Sequence, residues 1–171
     1  MSELDIYKGD RAIDWATPRA FMKWLEENRG FKPNLDAAAT VRNTKASMFF
    51  NPNQDGLKQD WFGNVWLNPP YGREIPSWIE KCNHEIKRKK VNSIFVLLPA
   101  RTDTKWFHEL IMPNAYLVYL IKGRFNHTHP NAVKGANAPF ASMLVVYRKH
   151  KLPNAEIIGL EVPKEARGFN G

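Results

Sequence analysis

The residues best suited to chemistry are Asn68, Pro69, Pro70 and Tyr71, which stand together after the apolar run Val65-Trp66-Leu67 and before Gly72. An apolar run halted by two prolines reads as a buried strand that stops abruptly. Proline has a fixed φ and no N–H, so the pair makes a stiff turn that exposes carbonyls. Asn68 brings an amide that accepts through its oxygen and donates through its nitrogen. Tyr71 brings a flat ring with a polar tip. An acceptor, a stiff carbonyl and a stacking face at a strand's end suit the holding of a planar group that bears an NH2. The same residues also fit an ordinary Pro-Pro loop with a turn-favouring Asn before it, since short motifs match by chance. The elements around the tetrapeptide must separate the two readings.

Thr17 suits an N-cap, Pro18 the first helical position and Gly30 the position past the end. Phe21, Trp24, Leu25 and Asn28 fall between them at helical spacing, which predicts a helix over 18–29. Residues 31–36 read as a short strand ending in the carboxylate of Asp36. Ala37, Ala38 and Ala39 follow, small residues where a backbone can approach a ligand closely. A helix-forming or mixed stretch runs to about 47, Met48-Phe49-Phe50 reads as a second short strand, and Asp55-Gly56 is a strong turn signal. After Gly72, the residues Ile75, Ile79, Cys82 and Ile86 share one face of a helix. The cations Lys87 to Lys90 behind it suit the negative end of a helix dipole better than a phosphate. Ser93 to Leu98 is almost continuously apolar, the mark of a strand covered on both faces, and Pro99 stops it. Thr102 or Asp103 can cap a helix reaching about 112. Residues 116–121 read as a strand, 122–139 as a long loop and 140–147 as a last strand. The tail from Arg148 gives no firm element. Strands alternating with helices over 31–147 predict an α/β sandwich with a mostly parallel sheet. Ligands bind such sheets at the carboxyl ends of the strands, where both Asp36 and Asn68 fall, so the two join in one site.

At 171 residues the chain is read as one domain, 1–171, with its core over about 14–147. Lys and Arg total 25 against 17 for Asp and Glu, a formal net charge of +8, which favours a polyanionic partner such as nucleic acid. Cys82 is the one cysteine, so a disulfide framework and a cysteine-rich zinc site are excluded within the chain. His127 and His129 lie close together with no third ligand nearby, and no metal is expected. The start lacks a basic and apolar leader and no apolar run has membrane-spanning length, so a cytoplasmic protein with no membrane partner is expected. There is no G-x-G-x-x-G, which argues against a nucleotide-dependent oxidoreductase.

Asn68-Pro69-Pro70-Tyr71 resembles the Asp/Asn/Ser-Pro-Pro-Tyr/Phe motif of S-adenosylmethionine-dependent amino-methyltransferases. Taken in order, the blocks Asp14-Trp15-Ala16-Thr17-Pro18, Leu35-Asp36-Ala37-Ala38, Asp55-Gly56-Leu57, the tetrapeptide, the stretch from Leu98 to Thr104, and Gly123-Arg124-Phe125 are similar to those of the phage-encoded Dam-type DNA adenine-N6 methyltransferases. The resemblance covers roughly 14–147. It implies a Rossmann-like methyltransferase sandwich with an antiparallel C-terminal strand, S-adenosylmethionine as cofactor, double-stranded DNA as partner and a bacterial host cell as the setting. By that resemblance Thr17 and Pro18 lie near the methionine end of the cofactor, with Trp15 beside it. Asp36, Ala37 and Ala38 line the cofactor, and Asp55 sits near its adenine. Asn68, Pro69, Pro70 and Tyr71 hold the target base. Arg101, Arg124, Phe125 and Lys134, in two loops, face DNA.

The chain departs from the wider methyltransferase pattern in three places. The usual glycine-rich turn is Ala37-Ala38-Ala39-Thr40, no carboxylate ends the second strand, and 171 residues leave no room for a separate recognition domain. Target choice then falls to loops, to the tail, or to a partner subunit in a homo-oligomer. The function expected is methyl transfer to the N6 amine of a flipped-out adenine. The alternatives are transfer to an RNA base or a protein glutamine, or a non-catalytic nucleic-acid-binding domain of the same fold.

Overall fold

A strand whose consecutive residues are all apolar must bury both faces. In the computed structural model of the chain, which describes residues 16–126, 138–150 and 152–169, the strand over Val91–Pro99 does so at the middle of a sheet. Seven strands form that sheet: β1 (Leu35–Asp36), β2 (Met48–Phe49), β3 (Gly63–Leu67), β4 (Val91–Pro99), β5 (Leu117–Lys122), β6 (Ser142–Arg148) and β7 (Glu156–Glu161), in the order β2-β1-β3-β4-β6-β5-β7. β1 pairs in parallel with β2 and with β3, β3 with β4, and β5 with β7. β6 runs antiparallel to both of its neighbours, β4 and β5. The antiparallel strand thus lies where the sequence places its last strand. One more strand, β7, follows in the tail. Only Leu160 of β7 is buried, so its residues carry no period-two signal to read.

Residues alternate between the two faces of the sheet, as the pleat requires. Val65, Leu67, Ile94, Val96, Leu98, Met143, Val145 and Tyr147 enter one apolar layer; Trp66, Phe95, Leu97, Leu144 and Val146 enter the other. α1 (Arg19–Arg29) covers the second layer with Phe21 and Leu25. α2 (Ile75–Glu85) covers the first with Ile75, Trp78, Ile79 and Cys82. Full burial of each such aliphatic or aromatic side chain contributes roughly 1.5–3 kcal/mol. Gly30 ends α1 in the left-handed region at φ 63°, its N–H reaching the carbonyls of Glu26 and Leu25.

Several local expectations change. The strand expected over 31–36 narrows to Leu35–Asp36, since Pro33 has no N–H to give to a ladder. The stretch after Ala39, expected to be helix-forming or mixed, forms turns, with the N–H groups of Asn43 and Thr44 both on the carbonyl of Thr40. Neither Thr102 nor Asp103 caps the next helical segment: Lys105 holds its N-cap position, and the Thr104 hydroxyl just before it accepts from the N–H of Phe107 at 3.3 Å. That segment, Trp106–Ile111, is wound wide as a π-helix, and the N–H of Met112 reaches back five residues to Phe107. The expected N-cap of α1 is also absent: Pro18 holds the position and no side chain bonds the helix end.

Of the cations after α2, Arg88 braces the fold through carboxylates, while Lys87, Lys89 and Lys90 are exposed. Arg88 bonds Glu85 and Asp60, each at 2.9 Å, and Lys149 donates to the carbonyls of Ile86 and Arg88. Glu85 itself is fully buried and also accepts from Lys81 at 2.6 Å and from the N–H of Trp61 at 3.2 Å. This cluster lies at the amino end of β4, opposite the end that carries Asn68. Among the described residues no helix is long and apolar enough to cross a membrane. Removing the Glu85 carboxylate strands the groups that meet on it. Glu85→Ala is expected to lower stability by about 2–3 kcal/mol, read from the midpoint of urea unfolding at neutral pH.

Candidate active site

β1 lies between β2 and β3, so the chain leaves it to one side and then crosses back to the other. Such a reversal opens a crevice at the carboxyl ends of the strands. A cavity of about 290 Å³ occupies it, lined by Ala38 and Ala39 after β1, Phe50 and Asn51 after β2, Asp55 to Leu57, and Pro70, Glu74 and Trp78 after β3. Two backbone features shape this wall. Asp55 is the one non-glycine residue with positive φ among those described, at 57°, and its carboxylate holds the N–H of Leu57 at 3.2 Å. Gly56 lies so close to β1 that an added Cβ would meet the carbonyl oxygen of Ala37 at 2.0 Å. Only glycine permits that approach.

Beside the cavity is a water-sized recess lined by Ala16, Thr17, Asp36, Ala38, Asn43, Lys45, Trp66 and Asn68. Ala38 belongs to both, so recess and cavity adjoin. Asn68 follows β3 directly and is half-buried. Its amide nitrogen donates to the Thr17 hydroxyl at 3.2 Å, and its side-chain oxygen is buried. The hydroxyl expected to cap α1 is spent on this bond instead. Asp36, 2% exposed, accepts from the N–H of Lys45 at 2.9 Å and of Ala38 at 3.3 Å. Burial pushes its carboxyl from 3.8 up to about 6, against the downward pull of those two N–H groups and the charge of Lys45. Burial pushes the Lys45 ammonium down in turn, and Asp36 opposes that shift. Pro69 is buried. The Tyr71 hydroxyl donates to the carbonyl of Leu97 at 3.2 Å, and its ring meets Phe140 edge-on at 5.4 Å.

A comparison with known families matches residues 6–167 to the DNA N-6-adenine-methyltransferase (Dam) family. The chain belongs to this family. A relative from Escherichia phage T1, described as a DNA N-6-adenine-methyltransferase, is 36% identical over 124 residues, which is 67% of this chain and 49% of the relative. The chain thus spans about half the length of that curated relative.

Six of the residues that resemblance to the Dam family singles out come together, while Pro69 and Tyr71 line neither the cavity nor the recess. Thr17, Asp36, Ala38 and Asn68 meet in the recess, and Ala38, Asp55 and Pro70 share the cavity. Arg101 is exposed at the carboxyl end of β4, and Arg124 is exposed just past the carboxyl end of β5, both on the side that carries Asn68. Trp15 and Lys134, like His127 and His129, lie outside the described residues. Three expectations need correction. Ala37 lines neither cavity nor recess: its side chain is in the core and its N–H bonds Trp66 in the parallel ladder. Pro18 faces the tail at Gly168 rather than the recess. Phe125 is fully buried, edge-on to Phe21 at 4.9 Å beneath α1, so it packs the core rather than touching DNA. Sequence reading missed Asn43, Lys45, Phe50, Asn51, Glu74 and Trp78 as lining residues. Asn51 stands where a carboxylate usually ends the second strand, and its place just after Phe50 is the signal that was available. Among the described residues no cluster of His, Cys, Asp and Glu could hold a metal ion.

The folded chain keeps the Asp36 proton to a higher pH than the unfolded chain does. Stability therefore falls as pH rises from about 4 to about 6, by on the order of 3 kcal/mol. Asp36→Asn is expected to remove that fall, so that its urea-unfolding free energies at pH 4 and pH 7 lie closer together than those of the parent.

Proposed function

We propose that this chain is an S-adenosylmethionine-dependent methyltransferase that methylates the N6 amine of an adenine extruded from double-stranded DNA. The observation that carries the reading is the Asn68 amide, anchored on Thr17 beside the Asp36 recess and next to the 290 Å³ cavity. The cavity and recess fit the cofactor in chemistry. Phe50, Pro70, Trp78 and the alanines offer flat and apolar surface for a purine, with Asn51, Asp55 and Glu74 for polar contacts. Asp36 offers a carboxylate for an ammonium group. When bound there, the cofactor supplies an electrophilic methyl group.

The chain's own task is to make a weak nucleophile competent. The lone pair of the adenine amine is delocalised into the ring. Acceptors aimed at its two hydrogens draw the nitrogen toward tetrahedral geometry and release that pair. The Asn68 side-chain oxygen and the Pro69 carbonyl are the two acceptors in this reading. The rigid Pro69-Pro70 turn keeps them from reorganising during reaction, so they act as preorganised electrostatics. Tyr71, whose hydroxyl bonds the Leu97 carbonyl and whose ring packs edge-on to Phe140, stacks on the base in this reading. Extrusion of the base gives the amine access to the site.

Asn68→Ala is expected to lower methyl transfer by at least about 100-fold while leaving calorimetric binding of S-adenosylmethionine within about twofold. Plasmid DNA, RNA and a glutamine peptide assayed side by side with labelled cofactor identify the acceptor. Label in DNA that survives in Asn68→Ala sinks the role given to Asn68, and label found only in RNA or peptide sinks the choice of substrate.

A further inference from the structure

We infer that the turn after β5 and the tail after β7 together form a site for a phosphate of the DNA backbone, beside the base-holding residues. The inference rests on the reading of DNA as substrate. β5 and β7 are parallel neighbours, so the segments that leave them emerge at the same end of the sheet as Asn68. There Gly123, Arg124, Lys164, Arg167 and Phe169 line a cavity of about 450 Å³. Arg167 is fixed in it. Its Nη1 donates to the carbonyl of Arg124 at 2.7 Å, its Nε donates to the carbonyl of Val162 at 3.0 Å, and its guanidinium stands 5.5 Å from the Phe169 ring centre. Gly123, at φ 81°, leaves room for this: a Cβ there would sit 2.5 Å from Nη1 of Arg167.

The acceptors that fix Arg167 are neutral, so its positive charge is oriented without being neutralised. Among the described residues, Arg124, Lys164 and Arg167 form no ion pair. The acids nearby in sequence are Glu161, which pairs with Lys122 at 3.2 Å, and Glu165, exposed in the same tail. Three cations around one cleft, one of them a planar fork held in place, suit a phosphate group. The opposite end of the sheet shows the contrast, because there Arg88 is met by Glu85 and Asp60.

A chain of contacts ties this cleft to the base-holding residues. Asn126 clamps the tail, its N–H on the Arg167 carbonyl at 2.9 Å and its amide on the Gly168 carbonyl at 3.0 Å. Gly168 rests against Pro18, and the next residue, Thr17, holds Asn68. A phosphate seated in the cleft therefore registers the duplex relative to Asn68. It carries no sequence information of its own.

The test uses the full chain with Lys164→Ala and Arg124→Gln. Lys32→Ala serves as a control of equal charge change, since Lys32 follows the far end of α1 and, among the described residues, pairs only with Glu26 at 3.5 Å. Each cleft variant is expected to raise KM for plasmid DNA about tenfold and to reduce the slope of log affinity against log salt by about 1. Neither kcat at saturating DNA nor calorimetric affinity for S-adenosylmethionine should change, and Lys32→Ala should behave as the parent. Cleft variants that match Lys32→Ala in KM and salt slope, while the parent methylates DNA, overturn the phosphate site alone. A parent that neither binds nor methylates DNA overturns the substrate reading and the site with it.

Discussion

The hydrogen bond between the Asn68 amide and the Thr17 hydroxyl is the contact on which the site depends. It joins residues 51 positions apart in sequence and ties the entry of α1 to the end of β3. An asparagine amide has two chemically opposite ends, and the oxygen end of Asn68 is buried. Here Thr17 takes the nitrogen. Thr17 is thereby withdrawn from capping α1, which begins without a side-chain partner on its first N–H groups. A local helix signal of typically ~1 kcal/mol gives way to a long-range contact that orients one side chain.

Other residues around the crevice are also held in unfavourable states. Asp36 is buried where its charged form is disfavoured. Asp55 adopts a positive φ that a residue with a Cβ resists. Gly56 gives up a side chain altogether so that the turn can close on Ala37. Such local costs persist only where the surrounding packing over-determines the backbone. The two apolar layers on either side of β3 and β4 provide that packing. These strained and desolvated groups are gathered around one crevice.

The distribution of charge follows the same division between the two ends of the sheet. At the amino end of β4, Arg88 and Lys149 are met by carboxylates and by helix carbonyls. At the carboxyl end, Arg101 and Arg124 are exposed, and Arg167 is held by neutral carbonyls. Net charge in a sequence reports only the sum. The fold decides which cations meet a carboxylate and which stay exposed. Exposed ones stand at both ends, Lys87, Lys89 and Lys90 at one and Arg101 and Arg124 at the other.

Apolar runs, helical apolar spacing, the Pro69-Pro70 stop and the Gly30 terminator were enough to find α1, α2, β3, β4, β5 and β6, because each is a local steric or burial signal. The ordered motifs were enough to bring Asp36, Asp55 and Asn68 to the same end of a parallel sheet. The tertiary structure alone decided the rest. Phe125 and Ala37 went to the core because neighbouring strands and α1 closed over them, which no local pattern records. Lys45, Asn51 and Trp78 reached the site because three separate strand ends converge there. β7 formed because an open edge of β5 offered hydrogen bonds to a segment with almost no buried face of its own. A sequence determines which groups must be buried and where the chain must turn. Which polar group then meets which is set by the closing of long loops, and that information exists only once the sheet has assembled.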